Sequence, residues 1–410
     1  MNPLSANSPF SIRFNTLMTI NNPQSIWTRA FALLCIAQFL GYAHHFILQP
    51  TLPLYITQLG GGPFIVGIVI AAFGITSVIA RPFIGAWVDR WHGGGVMVSG
   101  LLFLAGSVLF CFLPVVSATI LTNGLRGIGW AGLNTGGYTM LAANAPPARR
   151  GEASGYYGAA QVSGTIFFPA VALWIIAAPF GGYQVAFAIS LSLALIAAAI
   201  GAAIPRGVIH PAASADSQDR TSWWREIINV FDRNILLAAA LLFCLQLSLP
   251  CLTSCVVLYA REKAIDHFAW FYVVSGGTSL LARPLLGRVS DRIGCGRSLV
   301  CAFILEIAGL LLLPMVSNLL GIMIAGVLYM MGMAIGGSRV LALAMEQAPA
   351  ERRGRAMASF SMAFPLSNGA GAFLNGLVVD LAGYEWMYVT AAALCSTGLV
   401  VTWRAWDKLK

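Results

Sequence analysis

Long apolar runs separated by short polar stretches dominate the chain. About twelve of them fall near 30–56, 64–88, 96–116, 119–143, 153–178, 183–204, 234–259, 266–288, 298–316, 319–346, 356–379 and 385–406. An α-helix needs roughly 20 apolar residues to cross the hydrocarbon core of a bilayer, so each run can span. None alternates apolar and polar positions as a barrel strand would. In lipid every backbone N–H and C=O needs a partner within the protein, and helices supply it inside one segment. The pattern predicts an all-α membrane protein of twelve transmembrane helices.

The runs repeat. TSVIARPFIGAWVDR at 76–90 returns as TSLLARPLLGRVSDR at 278–292, with eight of its fifteen positions identical, and APPARRGEA at 145–153 returns as APAERRGRA at 348–356. The two landmarks share an offset of 202 or 203 residues, which predicts duplication of a six-helix unit in parallel topology. The division that follows is a tail at 1–27, a six-helix bundle at 28–204, a linker at 205–233, a second six-helix bundle at 234–406 and a tail at 407–410. Within the linker, SWWREIINVFDR at 222–233 has the pattern of an interfacial helix with Trp223 and Trp224 at the head groups.

Composition agrees: 58% of residues are hydrophobic and 10% charged, with a mean hydropathy of +0.78. With both termini placed in the cytoplasm, all but four of the 24 Lys and Arg fall on that side. The exceptions are Arg261 and Lys263 outside and Arg126 and Arg339 within spans. This positive-inside bias places the protein, multi-pass, in a plasma membrane such as the bacterial inner membrane. It also accounts for the net charge of +9 through topology and lipid head groups, so no nucleic-acid partner is called for. The polar first 27 residues contain no apolar stretch before a small-residue cleavage site, so no removable signal peptide is expected. The eight cysteines have no C-x-x-C spacing and read as small core residues. Neither a metal nor another cofactor is expected, and no G-x-x-x-x-G-K-[ST] occurs to hold ATP.

The Gly-x-x-x-Asp-Arg phrases at 85–90 and 287–292, between the second and third spans of each half, resemble the loop signature of the major facilitator superfamily. The six-plus-six layout extends that resemblance over the whole chain. LRGIGWAGLNT at 125–135 is similar to the fourth-helix motif of the drug/proton antiporter branch, with Asn123 where that branch usually carries arginine and Arg126 a turn later. In the fifth helix Pro169 follows Phe168, where the branch usually has a Gly-Pro pair. The resemblance implies alternating access by two rocking halves, with the first, second, fourth and fifth helices of each half lining the path. A cytoplasmic gate is expected from Gly85, Asp89, Arg90, Arg149, Gly287, Asp291, Arg292 and Arg352. The glycines would allow close helix approach, and the aspartates would meet a helix N-terminus or the arginines.

The path itself is read from polar stripes. Gln38, Tyr42, His45 and Gln49 recur at steps of four, three and four on one face of the first span, with His44 pointing away. Asn123, Arg126, Trp130 and Asn134 repeat the pattern in the fourth span, and Gln246 begins a thinner stripe in the seventh. An ionisable residue inside a span is costly to hold and marks a functional candidate. His45 and Arg126 fall at similar depth by the rise of ~1.5 Å per residue. Glu306 and Arg339 each fall about nine residues from a cytoplasmic end, which predicts a buried ion pair.

With cations but no carboxylate deep in the first half, the cargo is expected to be a small anionic or zwitterionic molecule, a siderophore, metallophore or drug among the candidates. His45, Glu306 or the cargo itself is left to carry the proton, and His45 is attractive because its ordinary pKa is about 6.5. The leading expectation is proton-coupled efflux by a monomer, and the alternative is proton-coupled uptake of an organic acid or sugar. A membrane enzyme would need paired carboxylates or an H-x-x-x-H that the chain lacks.

Overall fold

The computed structural model describes residues 26–146, 149–205, 235–347 and 353–409. The proposed interfacial stretch at 222–233 lies outside them, as does nearly all of the 1–27 tail. Among the described residues the chain is helical throughout, with twelve long helices. The first half contains α1 Arg29–Gln58, α2 Pro63–Trp91, α3 Gly93–Val108, α4 Val116–Asn144, α5 Arg150–Ala177 and α6 Tyr183–Ala202. The second contains α7, in two pieces Leu236–Leu247 and Val256–Glu262, then α8 Ala269–Ile293, α9 Cys295–Leu312, α10 Leu319–Gln347, α11 Arg353–Ala382 and α12 Tyr384–Arg404.

Ten of these are long and apolar enough to cross a membrane on their own. The other two are α4, which carries Asn123, Arg126 and Asn134, and α8, whose side chains are described without a break only over Ala269–Ala282. Both are carried by neighbours: α4 packs on α2 and α3, and α8 on α10 and α5. Large apolar side chains such as Ile79, Leu281 and Leu320 point outward, where a bilayer rather than water meets them without penalty.

Local chemistry sets the helix ends and breaks. Thr28 caps α1, its Oγ1 accepting from Phe31 N at 3.2 Å, and Pro63 opens α2 at a position where no N–H is needed. In α7, Pro250 cannot donate to the helix ladder, and a π-helical turn at Cys251–Cys255 joins the two pieces.

Packing follows the rule for helices in lipid, where close approach of small residues replaces the hydrophobic drive. A Cβ on Gly100 of α3 would lie 2.5 Å from Leu133 N and 2.7 Å from Gly129 O of α4. The two halves meet along α2–α11 and α5–α8, pairs that the six-helix offset exchanges, and where α1 meets the π-turn of α7. Across α2–α11 the backbones touch: a Cβ on Gly67 would lie 3.0 Å from Gly376 Cα, and one on Gly74 would lie 2.8 Å from Gly369 Cα. These contacts lie toward the end of the bundle remote from the chain termini. The eight cysteines are free thiols, and Cys111, Cys251, Cys255, Cys295 and Cys395 are buried.

Candidate functional site

Between the halves lies a cavity of about 1780 Å³. Its described wall comes from α1, α2, α4, α5, α7, α8, α10 and α11. Trp87 and Ala142 belong to that wall, each within about a turn of its helix end on the terminus side, while the Gly67–Gly376 contact closes the other end. The cavity therefore opens toward the face that carries the chain termini.

Tyr42, His45, Gln49, Asn123, Arg126, Trp130, Asn134 and Gln246 all line it. Gln38 does not: it is buried beside Gly137 of α4 and Tyr157 of α5. It shares the helix face of His45, but about 10 Å nearer the terminus end, where α4 and α5 cover that face.

Arg126 is the centre of the arrangement, only 3% exposed. Its Nη2 donates to His45 Nδ1 and to the His45 carbonyl, both at 3.0 Å. Its Nη1 donates to Asn123 Oδ1, and Asn123 Nδ2 in turn donates to Val69 O of α2 at 2.8 Å, which fixes the amide orientation. The guanidinium lies 5.8 Å over the Phe73 ring. Because a guanidinium can only donate, His45 Nδ1 must accept here and bears no hydrogen. The His45 ring stacks on Trp130 at 4.2 Å, Trp130 meets Tyr42 at 4.6 Å, and Tyr42 OH donates to Asn134 Oδ1 at 2.8 Å. Two helices' stripes thus form one aromatic and hydrogen-bonded wall around a cation. His44 turns to α6, where Nδ1–H donates to Ser190 O at 3.0 Å and Ser190 Oγ donates to His44 O at 3.1 Å.

Sequence reasoning placed Arg81 on the cytoplasmic side as a topology charge. The structure places it inside α2, ten residues before the helix ends, on the cavity wall. Its Nη1 donates to Ser361 Oγ of α11 at 2.7 Å, a bond between the halves. The repeated Ala-Arg-Pro of 80–82 and 282–284, inside the runs 64–88 and 266–288, was the available signal.

The gate residues divide. Gly85 faces open space rather than a neighbouring helix, since a Cβ there would meet nothing within 4 Å. Close glycine contact occurs instead at Gly67 and Gly74, at the closed end. Arg149 pairs with Glu152 of its own first turn at 2.8 Å. The side chains of Asp89, Arg90, Asp291 and Arg292, the surroundings of Gly287 and the whole of Arg352 lie outside the described residues.

The Glu306–Arg339 pair is corrected. Glu306 is fully buried, with Oε2 3.7 Å from Cys395 Sγ and Oε1 without a partner, while Arg339 Nη2 lies 4.0 Å from Glu346. The reason is height. Glu306 Cγ packs on Gly332 of α10, and Arg339 is seven residues, about 10 Å, further along that helix. Cys395 also donates to Ser248 Oγ at 3.2 Å, and Ser248 contacts Tyr329 OH at 2.9 Å, so the carboxyl joins a neutral network. Glu306→Gln is therefore expected to change stability by less than about 1 kcal/mol, against ~3–5 for breaking a buried ion pair. Thermal unfolding of the purified protein checks this, and a loss of the larger size would reveal a cation at Glu306.

A membrane-embedded helical bundle of two related halves around a cavity open at one end is the architecture of a transporter, not of an enzyme. The chain belongs to the Major Facilitator Superfamily, whose family model matches residues 34–266 and 264–408. It is 26% identical over 372 residues to the MFS-type transporter YhhS of Escherichia coli (strain K12), covering 86% of each chain. It is 25% identical over 403 residues to the multidrug resistance protein MdtG of Escherichia coli O81 (strain ED1a), covering 94% of this chain and 96% of that one. Among solved structures, a mutant form of the nucleoside transporter NupG superposes with a TM-score of 0.73 at 15% identity, over 92% of this chain and 99% of that one.

Proposed function

We propose that the protein is a proton-coupled exporter of a small anionic or zwitterionic molecule in a bacterial inner membrane. The observation that carries this reading is electrostatic. Arg126 and Arg81 stand on the cavity wall, and among its described residues there is no Asp or Glu. In an apolar, poorly screened space such a field attracts anions and excludes cations. The multidrug resistance name of MdtG favours the outward direction. With the termini in the cytoplasm, the open mouth is the loading side.

His45 supplies the coupling. As an acceptor it holds Arg126 in place for the cargo; a proton on Nδ1 turns that acceptor into a donor and breaks the cradle. Proton and cargo then occupy the site in alternation, as exchange requires.

The test is mass spectrometry of medium and cell extract from a deletion strain and its parent. An anionic or zwitterionic compound that accumulates inside the mutant and is missing outside is the expected result. A medium component left unconsumed by the mutant would reverse the direction, and a cationic cargo would overturn the charge assignment.

A further inference from the structure

The geometry points to a cargo with two anionic groups separated by an apolar body, one group held by Arg126 and the other by Arg81. This inference rests on the anionic reading above and adds a second site to it.

Arg126 lies over Phe73 of α2, and Arg81 follows on the same helix eight residues later, about 12 Å along its axis. Both line the cavity, so the two guanidinium groups mark an inner and an outer station along the route to the open mouth. Between them the wall is largely apolar and aromatic, with Tyr42, Trp130 and Phe73 offering faces to a carbon skeleton.

Arg81 is poorly satisfied where it stands. It donates to a neutral hydroxyl, Ser361 Oγ, and its Nε is buried with no partner. A carboxylate would accept from Nε and Nη together and replace a neutral hydrogen bond with a charge-assisted, bidentate one. That exchange also removes the bond between α2 and α11 near the mouth. Occupation of the outer station is thereby coupled to release of one contact between the halves, and a cargo with a single anion at Arg126 would leave that contact closed.

The test uses the purified full-length chain in detergent at low salt, with binding followed by calorimetry. The probes are sebacate, whose terminal carboxylates span roughly the distance between the stations, decanoate, with the same carbon count and one carboxylate, and glutarate, with two carboxylates set close together. Sebacate is expected to bind at least tenfold more tightly than either of the others. Arg81→Gln is expected to bring sebacate within about twofold of decanoate. Ser361→Ala is expected to tighten sebacate severalfold, because Arg81 then leaves no Ser361 bond behind. Equal binding of sebacate and decanoate, or an advantage that survives Arg81→Gln, would overturn the second station while leaving the anionic reading intact. Failure of all three carboxylates to bind would overturn both.

Discussion

Arg126→Gln is expected to reduce transport of the cargo by about 100-fold or more while leaving the protein inserted in the membrane. The charged donor reaches His45 Nδ1, the His45 carbonyl and Asn123 at once. Hydrogen bonds to a charged group contribute roughly 1.5–3 kcal/mol each, and ~1.4 kcal/mol is tenfold in affinity, so losing the guanidinium's contacts with an anion accounts for the size. Glutamine keeps a donor and an acceptor that can still satisfy part of the His45–Asn123 cradle, which protects the fold. Arg126→Lys is expected to fall in between, because an ammonium cannot present the planar fork that spans two helices. Export assays in cells with matched membrane abundance check both variants. Transport at the parental rate in Arg126→Gln would remove the residue from the site.

The second large effect comes from the seam between the halves. A Cβ on Gly74 would lie 2.5 Å from Pro365 O and 2.8 Å from Gly369 Cα, backbone atoms that no rotamer change can move aside. Gly74→Ala is expected to cost this arrangement about 1–3 kcal/mol, a 5- to 150-fold shift in population toward the state opened at that end. Spin labels on the α1–α2 and α11–α12 turns should then report longer distances, and transport should slow because one limb of the cycle has become unfavourable. Gly106→Ala is the control: its Cβ would meet nothing within 4 Å, and the label distance should stay put. An unchanged distance in Gly74→Ala would show that the seam yields locally and does not set the conformational balance.

Much of the fold was legible before any coordinates. Hydropathy marks segments by their own composition, and the helices observed over the described residues correspond to the apolar runs because each must bury itself in lipid and satisfy its own backbone. The stripe logic also reached far into the site. Spacing of three and four residues on α1 and α4 reports which side chains share a helix face, and those faces meet around Arg126.

The limits have one source. Glu306 and Arg339 were matched by counting from estimated helix ends, and α9 and α10 cross so that Gly332, not Arg339, stands opposite the carboxyl. Gln38 shares a face with His45, yet the cavity ends before reaching it because α4 and α5 close over that stretch of α1. Arg81 falls inside the run 64–88 yet counts by charge with the cytoplasmic residues, and nothing in its own segment reports that its partner is a serine of α11.

The amino-acid pattern settled the helical elements over the described residues and the faces of individual helices, since these depend on residues within a few turns of one another. Heights, crossings and partners between helices were settled only by the packed bundle, where glycine contacts across seams such as α2–α11 set how each helix is shifted against the next. A shift of one or two turns separates a matched pair of charges from two unrelated ones, and no local periodicity records it.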